Sequence, residues 1–258
     1  MSRFIAALPM YDWPEARAET DAEWVRVREA LRGAGIDAPE NLARRNADMP
    51  PVPGGIRDVK GNVIAPDPAS LPPDEFDLPT LWRHPGLLFA QTCWGPMELG
   101  LASHVRVVGQ PDYSGFEGGQ GKLYSSVLLM RKQNARPVAE MPANGHAALP
   151  LALLRAKRLA YNSRDSMSGI IMLARDLEAA GEDLKLLSDL IETGGHRQSL
   201  IAVAEGRADI CAVDCRSWAL AQRFEPAACD LRPVGRTALR KGLPFIAARG
   251  APDYPLPL

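Results

Sequence analysis

The segment from Asn162 to Gly169 carries the side chains best suited to binding chemistry. It reads Asn-Ser-Arg-Asp-Ser-Met-Ser-Gly and leads from a predicted strand into a predicted helix. The first amides of a helix lack acceptors within the helix and carry partial positive charge, so an anion is stabilised there. The small side chains of Ser166, Ser168 and Gly169 would let an oxyanion approach those amides. The same residues are also typical of an ordinary capped helix, because Ser and Asp are favoured N-caps.

A second turn of this kind runs from Thr193 through two glycines to His196 and again enters a predicted helix. An imidazole near a helix N-terminus can donate a hydrogen bond to a bound anion. A single histidine in this position is also typical of a surface or capping residue. His196 is therefore a candidate ligand contact, with a purely structural role as the alternative.

Three further polar residues follow predicted strands. Open α/β sheets bind ligands at the carboxyl ends of their strands, and Tyr11, Thr92 and Asp214 each stand at such a point. The two hydroxyls can donate hydrogen bonds to a ligand. Asp214 can instead cap a helix that begins near Ser217.

The chain contains no Gly-x-Ser-x-Gly turn, no phosphate-binding Gly-Lys-Ser/Thr loop and no His-Glu-x-x-His pair. We therefore expect no catalytic residues of these classes, no metal site and no cofactor. The four cysteines are too few and too scattered for a disulfide framework. Cys211 and Cys215 lie four residues apart in a strand-like segment, so we interpret them as buried small apolar residues rather than zinc ligands.

The elements that position these residues alternate between strand and helix. Short β-rich runs predict strands, and apolar residues at helical spacing with a closing glycine predict helices. The predicted strands are 3–10, 86–92, 104–109, 124–130, 158–162, 209–213 and 244–247, and the predicted helices are 20–34, 168–180 and 196–205. We expect Thr20 to cap the first helix. This alternation is typical of an α/β fold with parallel strands.

The stretch 46–79 departs from that alternation because it contains eight prolines. Such a composition disfavours helices and central strands. We expect a mobile surface excursion with little packed core and a hairpin turn at Gly61 and Asn62.

Charge and hydropathy narrow the range of partners. Thirty Lys and Arg residues face 31 Asp and Glu residues, with no block of one sign, so a nucleic-acid partner is not expected. No apolar run reaches the roughly 20 residues that a membrane-spanning helix needs. The start of the sequence lacks the pattern of a signal peptide. We therefore expect a cytoplasmic location, or a periplasmic one if an export signal has been removed.

Five segments, taken in order, resemble the phosphate/phosphonate-type substrate-binding proteins of ABC importers. They are Phe4–Tyr11, Lys122–Arg131, Arg158–Gly169, Thr193–His196 and Gly206–Asp214. The resemblance implies the type II periplasmic-binding-protein fold, an α/β fold whose two lobes close over a ligand by a hinge. It implies a first lobe at 1–127, joined by 246–258, and a second lobe at 128–245.

The resemblance also implies where the ligand binds. Ser166, Ser168, Gly169, His196 and Asp214 would hold a small oxyanion-bearing ligand, with Tyr11 and Thr92 facing them across the cleft. A membrane permease would be the protein partner. The ligand itself is not fixed, because Met167 stands where phosphonate binders usually have a hydroxyl residue. The alternative is an enzyme of small-molecule or cofactor metabolism on the same fold, with His196 and Asp214 as acid and base.

Overall fold

The structure is a computed structural model, and it describes residues 3–134 and 144–254. Its internal contacts divide the chain into two compact units. Unit 1 comprises the described residues of Met1–Pro111 and Leu243–Leu258, and unit 2 those of Asp112–Gly242. Both divisions fall earlier in the chain than the boundaries expected from the sequence at 127/128 and 245/246. The first falls earlier because the small strands that precede residue 126 pair within unit 2.

The strands are short, and each of the seven strands predicted from the sequence has a counterpart in the structure. In chain order they are β1 Ile5–Ala7, β2 Ile56–Arg57, β3 Val63–Ala65, β4 Leu87–Gln91, β5 Val105–Gly109, β6 Gly119–Gln120, β7 Leu123–Tyr124, β8 Ser126–Arg131, β9 Arg158–Tyr161, β10 Asp189–Glu192, β11 Ile210–Asp214, β12 Leu231–Arg236, β13 Arg240–Lys241 and β14 Phe245–Ala248. The α-helices are α1 Arg17–Gly33, α2 Leu78–Arg83, α3 Trp94–Glu98, α4 Leu151–Leu154, α5 Met172–Ala179, α6 His196–Ala204 and α7 Cys215–Phe224.

Unit 1 is built on a four-stranded sheet in the order β1-β4-β14-β5. β1 and β4 are parallel, and β14 returns from the C-terminal part of the chain to pair antiparallel with β4 and β5. Helix α1 packs on this sheet through Trp24, whose ring lies 6.0 Å from that of Phe89, and Phe89 in turn stacks on Phe245 at 4.8 Å. The N-terminal and C-terminal parts of the chain therefore share one hydrophobic core.

The predicted cap of α1 is wrong. The helix begins at Arg17, directly after a 3₁₀ turn at Pro14–Ala16, so Thr20 lies inside it. The hydroxyl of Thr20 donates back to the carbonyl of Ala16 at 3.3 Å. A proline that starts a helical turn favours this earlier beginning.

The proline-rich stretch forms the predicted hairpin, with β2 antiparallel to β3 and Gly61 at a φ of 85° in the turn. The expectation of little packed core is wrong, because Met49, Ile56 and Ala65 are buried. The segment is also held by polar contacts. The buried Asn46 side chain donates to Pro72 O at 2.8 Å and accepts from the backbone N–H of Asp77 at 2.8 Å.

Unit 2 is built on a five-stranded sheet in the order β10-β9-β11-β8-β12. β9, β10 and β11 are parallel, whereas β8 is antiparallel to both of its neighbours. The sheet is therefore mixed, not purely parallel. Its core is largely aliphatic and joins α5 to the sheet through residues such as Leu173, Leu177, Leu128 and Leu159. A small sheet, β13-β7-β6, belongs to the same unit.

Within the described residues, no helix combines the length and apolar character needed to cross a membrane.

Candidate functional site

The candidate site lies at one edge of the unit 2 sheet. Because β9, β10 and β11 are parallel, their carboxyl ends meet at the same edge. The turn after β9 contains residues 162–169, the turn after β10 contains residues 193–196, and β11 ends at Asp214. Ser126, the first residue of β8, is paired with Asp214 at this edge. The topology thus brings together three segments that are distant in sequence.

The turn after β9 enters its helix through a π-helical turn at Met167–Ile171, which continues as α5. Ser166 is the N-cap, and its hydroxyl accepts from the backbone N–H of Gly169 at 3.0 Å. The sequence predicts a single helix from residue 168. In the structure the helix begins one residue earlier, at Met167, and its first turn is a wider π-helical turn. Ser166 therefore confirms the capping interpretation, and the Gly169 amide already has a partner inside the protein.

Gly169 is required at its position for a steric reason. A Cβ atom there would lie 1.9 Å from the side-chain oxygen of Asn162 and 3.0 Å from the hydroxyl of Ser166. The Asn162 side chain is therefore packed directly against the Gly169 backbone. Its backbone carbonyl accepts from the N–H of Gly194 at 2.9 Å, so Asn162 joins the two turns.

The turn after β10 is held by Thr193. Its backbone N–H and its hydroxyl both donate to the carbonyl of Tyr161, at 2.9 and 3.0 Å, and its hydroxyl lies 2.6 Å from that of Ser199. Gly195 is the N-cap of α6 in an extended conformation, and His196 is the first residue of the helix. The helix start is thereby fixed against β9, which places the imidazole beside the first turn.

His196 contacts two of the other predicted site residues. The hydroxyl of Ser168 lies 2.9 Å from Nε2 of His196, and a carboxylate oxygen of Asp214 lies 3.5 Å from the same nitrogen. Ser168 is 3 % exposed and Asp214 is 2 % exposed. We call Ser168, His196 and Asp214 the polar cluster. Because these side chains have little contact with water, the charge states of His196 and Asp214 depend on the protein groups around them.

Asp214 also caps α7. One carboxylate oxygen accepts from the backbone N–H groups of Arg216 and Ser217 at 3.0 and 2.9 Å, and the other accepts from the Ser217 hydroxyl at 2.6 Å. The capping role offered by the sequence is therefore confirmed, with the helix beginning at Cys215. The amides and the helix dipole stabilise the buried negative charge.

His196 is the titratable base of the polar cluster. Burial lowers the pKa of this imidazole, and the nearby charge of Asp214 opposes that shift in part. Nδ1 of His196 is buried and has no hydrogen-bond partner within the described part of the chain. The ring is therefore neutral at pH 7, with one nitrogen still able to bind a further group.

Two hydroxyl residues at this edge of the sheet were not predicted from the sequence as site residues. The Ser126 hydroxyl donates to the carbonyl of Ser168 at 2.8 Å, and the Ser126 backbone N–H donates to the hydroxyl of Thr237 at 2.8 Å. Both side chains are fully buried. A Ser-Ser pair directly before an apolar strand is the only sequence signal, and it does not predict a contact with a turn 42 residues away.

Tyr11 and Thr92 lie in unit 1, after the parallel strands β1 and β4. Both therefore stand at the same carboxyl edge of the unit 1 sheet, as the sequence predicts. Both are buried, Tyr11 at 3 % and Thr92 at 0 % exposure. The Thr92 amide donates to Pro244 O at 3.2 Å, whereas its hydroxyl has no hydrogen-bond partner among the described residues.

No disulfide joins the four cysteines, all of which lie in the described residues. Cys211 and Cys215 are buried, as interpreted from the sequence, Cys93 is also buried, and Cys229 is exposed. Burial raises the pKa of the Cys211 and Cys215 thiols well above the usual range. In residues 3–134 and 144–254, no group of three or more His, Cys, Asp or Glu side chains is arranged to hold a metal ion.

Comparison with known proteins gives a family and a fold. The family model described as the ABC transporter, phosphonate, periplasmic substrate-binding protein matches residues 101–254, which is more than half of the 258-residue chain. No curated protein matches the chain.

Several solved structures share the fold at low identity. PhnD1 from Prochlorococcus marinus, in complex with methylphosphonate, is 14 % identical with a TM-score of 0.62, covering 96 % of this chain and 77 % of its own. A binding-protein component of an ABC phosphonate transporter from Pseudomonas aeruginosa is 13 % identical with a TM-score of 0.60, covering 98 % and 71 %. A Xanthomonas citri protein bound to ATP is 14 % identical with a TM-score of 0.55, covering 98 % and 79 %. The predicted α/β fold of the periplasmic-binding-protein class is confirmed.

Proposed function

The chain belongs to the family of periplasmic substrate-binding proteins of ABC phosphonate transporters, and from this premise we propose that its polar cluster binds a small oxyanion. The observation that carries the proposal is the 2.9 Å contact between Ser168 and His196 at the start of two helices. One hydroxyl, one imidazole and the positive ends of two helix dipoles share this edge. The hydroxyl and the helix dipoles favour negative charge on a ligand, and the imidazole does so when it is protonated.

The ligand class follows from the donors and from the structural relatives. PhnD1 holds methylphosphonate, and phosphonate oxygens accept hydrogen bonds from the kinds of group that the polar cluster provides. Met167 is 2 % exposed, and its sulfur accepts from an Arg175 guanidinium nitrogen at 3.8 Å. The position that carries a hydroxyl residue in phosphonate binders therefore contributes no donor here. We propose a phosphonate or a related oxyanion held with fewer hydroxyl contacts.

A binding role fits the polar cluster better than an acid–base reaction. In a Ser-His-Asp triad the serine and the aspartate contact different ring nitrogens, so that a proton can pass through the imidazole. Here Ser168 and Asp214 both lie at Nε2 of His196. The carboxylate of Asp214 is in addition engaged in capping α7. The cluster therefore lacks the arrangement that would activate Ser168 as a nucleophile.

We also propose Tyr11 and Thr92 as ligand contacts, as expected from the sequence. The support is the buried Thr92 hydroxyl, which has no hydrogen-bond partner within the described residues. Val has nearly the shape of Thr without the hydroxyl, so Thr92→Val should leave unit 1 folded. If the hydroxyl binds the ligand, the variant should bind about 10-fold more weakly, which corresponds to about 1.4 kcal/mol. An unchanged affinity would remove Thr92 from the proposed site.

Family membership also bears on location and partner. The family is periplasmic, so the cytoplasmic location expected from the sequence is not supported. We propose a periplasmic location and an ABC permease as the partner. The support for both is the family alone.

A thermal-shift screen with methylphosphonate, phosphate, phosphite, sulfate and short carboxylates tests the function. A ligand that binds only the folded state stabilises it by about 2.7 kcal/mol at 100 times its Kd. At about 2–4 °C per kcal/mol, the melting temperature should rise by about 5–11 °C. Dimethyl methylphosphonate is the matched uncharged control and should give no shift. Equal shifts from the neutral diester, or no shift from any oxyanion, would contradict the proposal.

Turnover is measured in the same samples. Mass spectrometry of a stabilising ligand after prolonged incubation should show the compound unchanged. Stoichiometric conversion that stops in His196→Gln would favour the enzyme alternative.

A further inference from the structure

The polar cluster already contains a negative charge where an anion is proposed to bind. The Asp214 carboxylate is 2 % exposed and lies 3.5 Å from Nε2 of His196. Coulomb repulsion between two anions grows as the surroundings become less polar. An anion bound beside His196 would therefore be disfavoured unless a positive charge stood between it and Asp214.

The imidazole of His196 can supply that charge. A neutral ring carries one proton, and Asp214, which only accepts, favours that proton on Nε2. Nδ1 then presents a lone pair, which repels an anionic oxygen. A second proton at Nδ1 turns the nitrogen into a donor and makes the ring a cation. The structure leaves this nitrogen without a hydrogen-bond partner in the described residues.

No other cation on the described surrounding elements is positioned to supply the positive charge between Asp214 and a bound anion. Within the described residues, the charge of Asp214 opposes the effect of burial on the pKa of the His196 ring. The cations on α6 and on the turn after β9 are paired with carboxylates: Arg197 lies 2.7 Å from Glu225, and Arg164 lies 3.5 Å from Glu192. The two cations on α7 lie over aromatic rings, with Arg216 6.0 Å from the ring centre of Phe116 and Arg223 4.5 Å from that of Phe224.

We propose that oxyanion binding at the polar cluster takes up one proton from solvent, which His196 holds between the Asp214 carboxylate and the bound anion. This inference rests on the function proposed above and specifies its regulation by pH. Binding and protonation are linked reciprocally, so the anion raises the pKa of His196 and the protonated ring raises the affinity for the anion.

The direction of the pH effect follows from the burial of the ring. In the unliganded protein, burial holds the pKa of His196 below its usual range. In the complex, two flanking negative charges raise it. Between these two values, affinity should fall by up to about tenfold for each unit of pH increase. A binding site that held the anion with a neutral His196 would show no such slope from this residue.

The test is a proton NMR titration of the full chain with histidine labelled at the ring Cε1 position. The signal of His196 is assigned as the one missing from His196→Gln, and His84, His104 and His146 serve as internal controls. Without ligand, the His196 signal should reach the imidazolium position only at a lower pH than a free histidine does, because burial lowers the pKa of the ring. With saturating methylphosphonate it should take the imidazolium position at pH 7, while the control signals keep their unliganded titration.

The outcomes separate this inference from the proposed function. If methylphosphonate binds by calorimetry but the His196 signal stays neutral from pH 8 to pH 6, the proton uptake is wrong and the binding site stands. If neither methylphosphonate nor phosphate, phosphite or sulfate binds by calorimetry, both are overturned. In His196→Gln, any remaining affinity should lose the part of the pH slope that the wild-type protein owes to His196.

Discussion

Replacing Gly169 by alanine tests the geometry of the first turn. The new Cβ would lie 1.9 Å from the Asn162 side-chain oxygen, a distance at which one of the groups must move by about 1 Å or more. It would also lie 3.0 Å from the Ser166 hydroxyl, which accepts from the Gly169 amide. Overpacking of this kind costs about 1–3 kcal/mol. Gly169→Ala should therefore lower the melting temperature by about 2–12 °C.

A double-mutant cycle identifies the cause. Asn162→Ala removes the oxygen that the new methyl group meets, so Gly169→Ala should cost at least about 1 kcal/mol less in that background. The assay is urea unfolding followed by circular dichroism, with the same slope required for all variants. Gly33→Ala is the matched control, because a Cβ atom added there would meet no packed neighbour within 4 Å, and it should not destabilise the protein.

Two results would contradict the steric conflict between Gly169→Ala and Asn162. One is a Gly169→Ala protein as stable as the wild type. The other is an equal loss of stability with and without Asn162, since that would show that the contact between the two residues is not the source of the cost.

Three further predictions concern other sites. Ser168→Ala should weaken oxyanion binding by about 10- to 150-fold in calorimetry, because a hydrogen bond to a charged group contributes about 1.5–3 kcal/mol. Ser103→Ala, which changes a serine in unit 1, is the control and should bind the oxyanion as tightly as the wild-type protein. Burial lowers the pKa of His84, so the unfolded protein takes up a proton on this residue at a higher pH than the folded protein does. The melting temperature should therefore fall as the pH drops below about 6.5. His84→Gln should reduce this dependence on pH, and an unaltered dependence would contradict the assignment to His84. Within 46–79, trypsin should cut first after Lys60 at the exposed hairpin turn, and a first cut elsewhere in that stretch would contradict it.

His84 also helps to hold the proline-rich stretch in place. The His84 ring accepts from the Gly86 amide at 3.0 Å through Nδ1 and contacts Pro50 O at 2.9 Å through Nε2. A buried neutral histidine thus joins the stretch to β4. Composition alone predicts a loose segment, because prolines are visible in a sequence and such distant contacts are not.

The regular elements could be predicted because their signals are local. The helix from His196 ends at Ala204, close to the predicted 205, and Gly206 has the positive φ of 79° expected after a helix. The pairs β6–β7 and β7–β13 were missed, since strands of two residues have no measurable periodicity. The π-helical turn at Met167 was missed for a similar reason, because its sequence pattern matches that of an α-helix start.

The candidate site could be predicted in its residues but not in its contacts. The parallel order of β9, β10 and β11 explains why Ser168, His196 and Asp214 meet, and the strand–helix rhythm indicates that order. Which ring nitrogen faces Asp214 depends on side-chain rotation and on the cap of α7. The orientation of the His196 ring and the cap of α7 distinguish a catalytic triad from a binding cluster. Neither can be predicted from the sequence alone.

A crystal structure of the protein with methylphosphonate would show directly whether the polar cluster binds the oxyanion. We expect phosphonate oxygens within hydrogen-bonding distance of the Ser168 hydroxyl and of Nδ1 of His196. Clear density for the ligand away from both residues would contradict it, as would an empty polar cluster at a ligand concentration that saturates binding in solution.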